Sequence, residues 1–181
     1  SIPALAPDHP GNHCEPRRQW GPVWTPITPP TGFLFHADPH TRCINAAAAA
    51  HRLPPGVLVI LLNVEGGTLG RVSQNTNDTV DIGPMQVNQI WIPAIARHWR
   101  ASQAATRDAL LNNFCANVEA GAWILRTGID EARGDFWEGV GYYHSHSTQH
   151  KTTYLRLVLR QALRLQGLAT HANGPQLAAG D

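Results

Sequence analysis

The chain divides by the way its apolar positions are spaced. Residues 1 to about 40 show no helical or alternating period and contain nine of the fourteen prolines, in pieces such as Trp20-Gly-Pro-Val-Trp24 and Pro29-Pro30. Proline fixes φ and removes a backbone donor, so this stretch is neither regular helix nor interior strand. It reads as an arm or linker, residues 1–40, with Phe33-Leu34-Phe35 as a part that packs on the rest. From Cys43 the pattern becomes helical. Ala46 to Ala50 is a run of strong helix formers, ended at Leu53-Pro-Pro-Gly56. A second helix fits Pro55 to Glu65, with proline in the first turn, where its missing N–H costs nothing. Its middle, Val57-Leu-Val-Ile-Leu-Leu62, is apolar all round, which marks a buried helix, although the run alone also suits a buried strand. Gly66-Gly67 ends it.

Residues 66–88 are rich in Gly, Ser, Thr, Asn and Asp, which predicts loop with a small hairpin around Asn75 to Asp81. Helix resumes after Asn88, near Pro93. Asp108 to Arg126 carries Leu111, Phe114, Val118, Ala122 and Leu125 at steps of three or four, with Gly128 as the expected C-cap. Asp135-Phe-Trp-Glu138 has the form of a capping box. The last helix, about Thr153 to Leu165, sets Tyr154, Leu157, Val158, Ala162 and Leu165 on one face and Arg156, Arg160 and Arg164 on another. Residues 168–181 read as a tail. The expectation is one mostly α domain over 41–167, with a small β-hairpin and polar loop beside a buried helix that ends in a carboxylate.

Charge narrows the function. The formal net charge is +1, so no strong field draws the chain to nucleic acid or an anionic membrane. The longest apolar run, Val57 to Leu62, is far shorter than the roughly 20 residues a bilayer crossing needs. The chain opens Ser-Ile-Pro-Ala without a methionine, which fits a mature or a trimmed form and does not establish export. Of three cysteines, Cys43 and Cys115 lie on helices of the compact part and Cys14 in the arm. A Cys43–Cys115 bridge is the expected pairing; the alternative is three free thiols.

Glu65 is the residue that calls for chemistry. It meets apolar neighbours and the negative end of a helix dipole, and both oppose ionisation. A carboxylic acid still protonated near neutral pH is what glycosidic cleavage needs as a general acid. An exposed glutamate at a helix end is the plainer reading of that position alone. Asp78 and Asp81 are candidates for a second carboxylate, against ordinary loop hydrogen bonding. His144-x-His146-x-x-x-His150 has a spacing that suits a metal, but no acidic or thiol ligand stands beside it, so no metal and no cofactor are expected.

Four motifs in order then extend the reading: Glu65, Gly83-Pro-Met85-Gln86-Val-Asn88, Gly139-Val-Gly-Tyr-Tyr-His-Ser145, and Tyr154-Leu-Arg-Leu-Val158. Together they resemble the lysozyme-like lytic transglycosylases, especially the exported ones that accompany type IV secretion, conjugation and pilus machines. Cys115-Ala-Asn117-Val-Glu-Ala-Gly-Ala-Trp123 is similar to the helix these relatives place between the motifs. Their cysteine pattern also resembles Cys43 with Cys115. The resemblance covers roughly 43–165. It implies an α+β lysozyme-like fold and a periplasmic enzyme acting on peptidoglycan strands, with machine components as partners. It implies Glu65 as catalytic residue, and Met85, Gln86, Asn88, Tyr143 and Tyr154 at the substrate, with Met85 lining the cleft and both tyrosines facing it. Two departures stand out. Such relatives usually have serine after the glutamate, where this chain has Gly66, and often asparagine after the tyrosine, where it has His144.

Overall fold

The computed structural model describes residues 37–145 and 147–172. The proline-rich segment through residue 36 with Cys14, His146, and the end of the tail lie outside the described residues. Among them are seven α-helices and a three-stranded antiparallel sheet. This is the expected mostly α, lysozyme-like architecture.

Helix α1 (Pro39–Ala50) begins four residues before the predicted change of pattern. Its cap is local: Asp38 Oδ1 accepts from the backbone N–H groups of His40 (3.0 Å) and Thr41 (3.1 Å), and Pro39 occupies the first turn. Helix α2 (Pro55–Glu65) has the predicted bounds. Val57, Leu58 and Leu61 are buried, and Ile60, Leu62 and Val64 pack against the core from its other sides. Gly66 ends it in the left-handed conformation (φ 62°), its N–H donating to Leu62 O.

The polar segment folds as β1 (Val72–Gln74), β2 (Val80–Ile82) and β3 (Val87–Asn88). Ser73 pairs with Asp81, and Asp81 with Asn88. A turn over Gln89–Trp91 leads into α3 (Ile92–Trp99). The helix expected over Asp108–Arg126 is two: α4 (Gln103–Asn112) and α5 (Phe114–Glu131). Asn113 leaves helical geometry and caps α5, its side chain accepting from Ala116 N at 3.0 Å. Gly128 is no C-cap. It lies buried within α5, where a Cβ would sit 3.1 Å from the carbonyl oxygen of Gly139. A Cβ on Gly139 would in turn meet Ile129 Cγ1 at 2.4 Å, so this pair lets α5 and α6 (Phe136–His144) approach closely. Asp135 caps α6 through Glu138 N, as the capping box predicted. Helix α7 (Thr148–Ala172) starts earlier and runs further than predicted, straight through Gly167.

Helix α5 is the axis of the core, packed against α1, α4 and α6, while α7 packs on α2 and α6. Cys43 and Cys115 are joined, tying α1 to α5 with Cα atoms 5.0 Å apart. Across 72 residues of chain, such a link stabilises by roughly 4 kcal/mol on the loop-entropy estimate. Among the described residues no single helix is long and apolar enough to cross a membrane.

Candidate active site

Three local facts place Glu65. Helix α2 is rigid because its apolar residues are buried, the left-handed Gly66 turns the chain away after it, and α7 packs alongside. From α7, Tyr154 donates its hydroxyl to Glu65 Oε1 at 2.7 Å. Burial pushes the Glu65 carboxyl up, the Tyr154 hydrogen bond pulls it partly back, and the nearby charge of Asp81 pushes it up again. The outcome is a pKa of about 7. The acid is therefore substantially protonated at neutral pH.

It lines a cleft of about 540 Å³, within the range of ligand-binding pockets. One wall is the sheet: Gln74, Asn75, Asn77, Asp81 and Asn88. Gln86 and Val87 continue it, and Trp91, Ile124, Tyr143, His144 and His150 complete the lining. A groove of amide, hydroxyl and imidazole groups with a few aromatic rings suits a sugar, which offers hydroxyls at its rim and C–H faces above and below.

The loop carrying Gln86 is built to one shape. Gly83 (φ 68°) has no room for a Cβ, which would fall 2.4 Å from Asn117 Nδ2. Asn117, wholly buried on α5, accepts from Met85 N at 2.7 Å and donates to Ile82 O and Leu110 O at 2.9 Å each. Gln86 itself has φ 50°, unusual for a residue with a side chain. Its Nε2 and its backbone N both donate to Gly83 O, at 2.9 and 3.0 Å. A Cβ on Gly67 would collide with that same oxygen at 2.0 Å, so the chain just after Glu65 and this loop touch backbone to backbone.

Four of the six residues singled out from the sequence, Glu65, Gln86, Asn88 and Tyr143, line the cleft. Asn88 also keeps a structural task. Its Nδ2 donates to Asp81 Oδ1 (2.8 Å) and Thr79 Oγ1 (3.0 Å), and its Oδ1 accepts from Ile90 N (3.1 Å). Tyr143 donates to Met85 O at 2.8 Å; burial first, then the charges of Glu65 and Asp81, hold its phenol well above the usual range. It stays protonated.

Two expectations need correction. Met85 does not line the cleft. Its side chain is completely buried against Gly121 of α5, where an added Cβ would lie 2.6 Å from Met85 Cε. A flexible apolar side chain fills the gap a glycine leaves. Tyr154 presents no face to the cleft either. It is 3% exposed, stacked on His144 with ring centroids 4.7 Å apart, and it meets Glu65 from behind. It positions the acid.

Sequence reasoning missed Gln74, Asn75, Asn77, Trp91 and Ile124 as lining residues. The polar hairpin was itself the signal for the first three, since a largely exposed run of side-chain amides suits a polar ligand. His144 and His150, weighed above for a metal, both line the cleft. Burial, then the charge of His150, lowers the His144 pKa against the opposing pull of Asp81.

A helical domain with a short antiparallel sheet, bearing a carboxyl at the end of a buried helix beside a polar groove, defines a lysozyme-like fold. The Transglycosylase SLT domain matches residues 42–156, and the chain belongs to that family. It is also similar to a peptidoglycan-binding-like protein of Escherichia coli O157:H7, 30% identical over 111 residues. That similarity takes in 58% of this chain and 64% of the relative, just under two thirds of the relative's length.

Proposed function

We propose that the chain is a peptidoglycan lytic transglycosylase that cleaves the β-1,4 bond between N-acetylmuramic acid and N-acetylglucosamine. The observation that carries this is the state of Glu65: a cleft-lining carboxyl with a pKa near 7, held by Tyr154. As the acid, Glu65 gives its proton to the bridging oxygen, and the bond from that oxygen to the muramoyl C1 breaks. As the resulting carboxylate, it takes the proton of the muramoyl C6 hydroxyl while that oxygen bonds to C1. The sugar leaves as a 1,6-anhydro end, no water is consumed, and Glu65 is protonated again. One carboxyl serves both steps, whereas ordinary glycosidases use two.

In this reading Gln86, Asn88 and Tyr143 bind the glycan, as the motif resemblance implies, and the hairpin lines the groove beside them. The catalytic domain of this reading, expected over 41–167, is the helical unit that α1 (Pro39–Ala50) opens and α7 (Thr148–Ala172) closes. A periplasmic location and service to a type IV secretion, conjugation or pilus machine rest on the resemblance of residues 83–88 and 139–145 to that subgroup.

Asp81 favours one other reading. It lines the same cleft and its charge acts on Glu65, so a hydrolase using water is the second mechanism to test. The relative's name, and Gly66 in place of serine, point to a third, glycan binding without turnover. Digestion of purified sacculi with mass spectrometry of the products decides among them. Anhydro ends support the transglycosylase, reducing ends the hydrolase, and retained binding with no release the binding protein.

A further inference from the structure

Away from the cleft, three side chains from separate elements converge on one point. Glu119, in the middle of α5, is 3% exposed. Its Oε1 is met by His51 Nε2 at 2.7 Å and His98 Nε2 at 3.0 Å. His51 is the C-cap of α1 and His98 stands in the last turn of α3. The nearest ligand-capable atoms of the three all lie within 4.8 Å of one another. Trp99 donates its indole N–H to the other carboxylate oxygen at 2.6 Å, which fixes the plane of the carboxylate and keeps Oε1 turned to the imidazoles.

We propose that His51, His98 and Glu119 form a structural site for a divalent transition-metal ion of the zinc type. Two imidazoles and one carboxylate with water in the fourth position is a tetrahedral zinc set best known from catalytic centres; here the three ligands stand outside the cleft, which makes the role structural. Around such an ion neighbouring ligand atoms stand about 3.3 Å apart, given metal–ligand distances of about 2.0–2.1 Å. The present imidazole-to-carboxylate separations of 2.7 and 3.0 Å are a few tenths short of that, so each imidazole need only draw back slightly from Oε1, with its proton on Nδ1 and the Nε2 lone pair turned to the ion. The outer partners suit the role too. Trp99 orients the carboxylate, and Trp123 stacks flat on His98 with centroids 4.7 Å apart and planes at 11°. His98, its side chain 30% exposed, marks the way in.

None of the three ligands lines the cleft. The ion would act instead as a brace behind it. Trp123, stacked on His98, meets Trp91 edge-on at 6.1 Å, and Trp91 is a cleft wall. Joining α1, α3 and α5 at one point holds that aromatic chain, and so the cleft, in place.

The experiment uses untagged, chelator-stripped protein titrated with zinc chloride by calorimetry, and with cobalt(II) by visible spectroscopy. The expected result is one equivalent of zinc, a tetrahedral cobalt spectrum, and a raised Tm on loading. His98→Ala keeps the fold, because His98 is the most exposed ligand, and weakens zinc binding about 100-fold. Glu119→Gln, if it folds, does the same. Failure of the wild type to take up one equivalent would overturn the proposal. So would an octahedral cobalt spectrum, or tight binding that survives His98→Ala, since it would belong to other histidines.

Discussion

Two glutamates, Glu65 and Glu119, are both withdrawn from water, yet the protein drives their acidities apart. At Glu65 burial dominates: one phenol donates to it, a second carboxylate adds like charge, and the pKa rises to about 7. At Glu119 burial is outweighed by the hydrogen bonds and charge of two imidazoles, and the pKa falls to about 2. Burial sets the cost of charge, and the count of donors decides whether it is met. A carboxyl with a single donor keeps a proton to give. One held by two imidazoles is a fixed anion that ties helices together.

Replacing Glu65 with Gln should break the contrast most completely. It retains the shape and removes the proton, so release of glycan from sacculi should drop by at least about 100-fold, with an unchanged circular dichroism spectrum. Undiminished release would refute the assignment. Glu119→Gln tests the other side. It leaves an amide where donors converge, and should destabilise the domain by roughly 3 kcal/mol in denaturant unfolding, with far less direct effect on chemistry.

The pH dependence of stability sharpens the comparison. Glu65 holds its proton more tightly folded, at about 7, than its ordinary value of 4.5 allows when unfolded. Between those values the folded chain carries more protons, so stability falls as pH rises through the window, and the cost is complete above 7. It amounts to roughly 3 kcal/mol as an upper bound. Glu65→Gln should therefore be more stable than the native chain at pH 8 and lose that advantage near pH 4; parallel curves would contradict the buried acid.

The smallest effects come as an opposed pair. Tyr154→Phe removes a donor to the carboxylate, so the alkaline limb of the activity profile should move up in pH. Asp81→Asn removes a like charge, so it should move down. Limbs that shift the same way, or stay still, would mean that Glu65 does not set the profile.

Where the determinants were local, they were legible in the chain. The buried helix Pro55–Glu65, its glycine stop, the Asp135 cap and the polar hairpin each follow from a few adjacent residues. Glu65 could be found because it ends an apolar helix and stands first of four motifs in order. The break at Asn113 was hidden, because apolar spacing runs on across it while one side-chain cap interrupts the backbone. Gly128 looked like a helix end; only the closeness of α6 shows it to be a packing glycine. Met85 and Tyr154 belonged to the right motifs, but which way each points depends on Gly121 and on the α2–α7 contact. The cluster of His51, His98 and Glu119 had no signature at all, since its members are up to 68 residues apart. Short-range order, the chain's own sequence determined: capping, periodicity and turn chemistry act between near neighbours. The folded domain decided which of Glu65 and Glu119 keeps a proton, because that depends on groups delivered from distant segments.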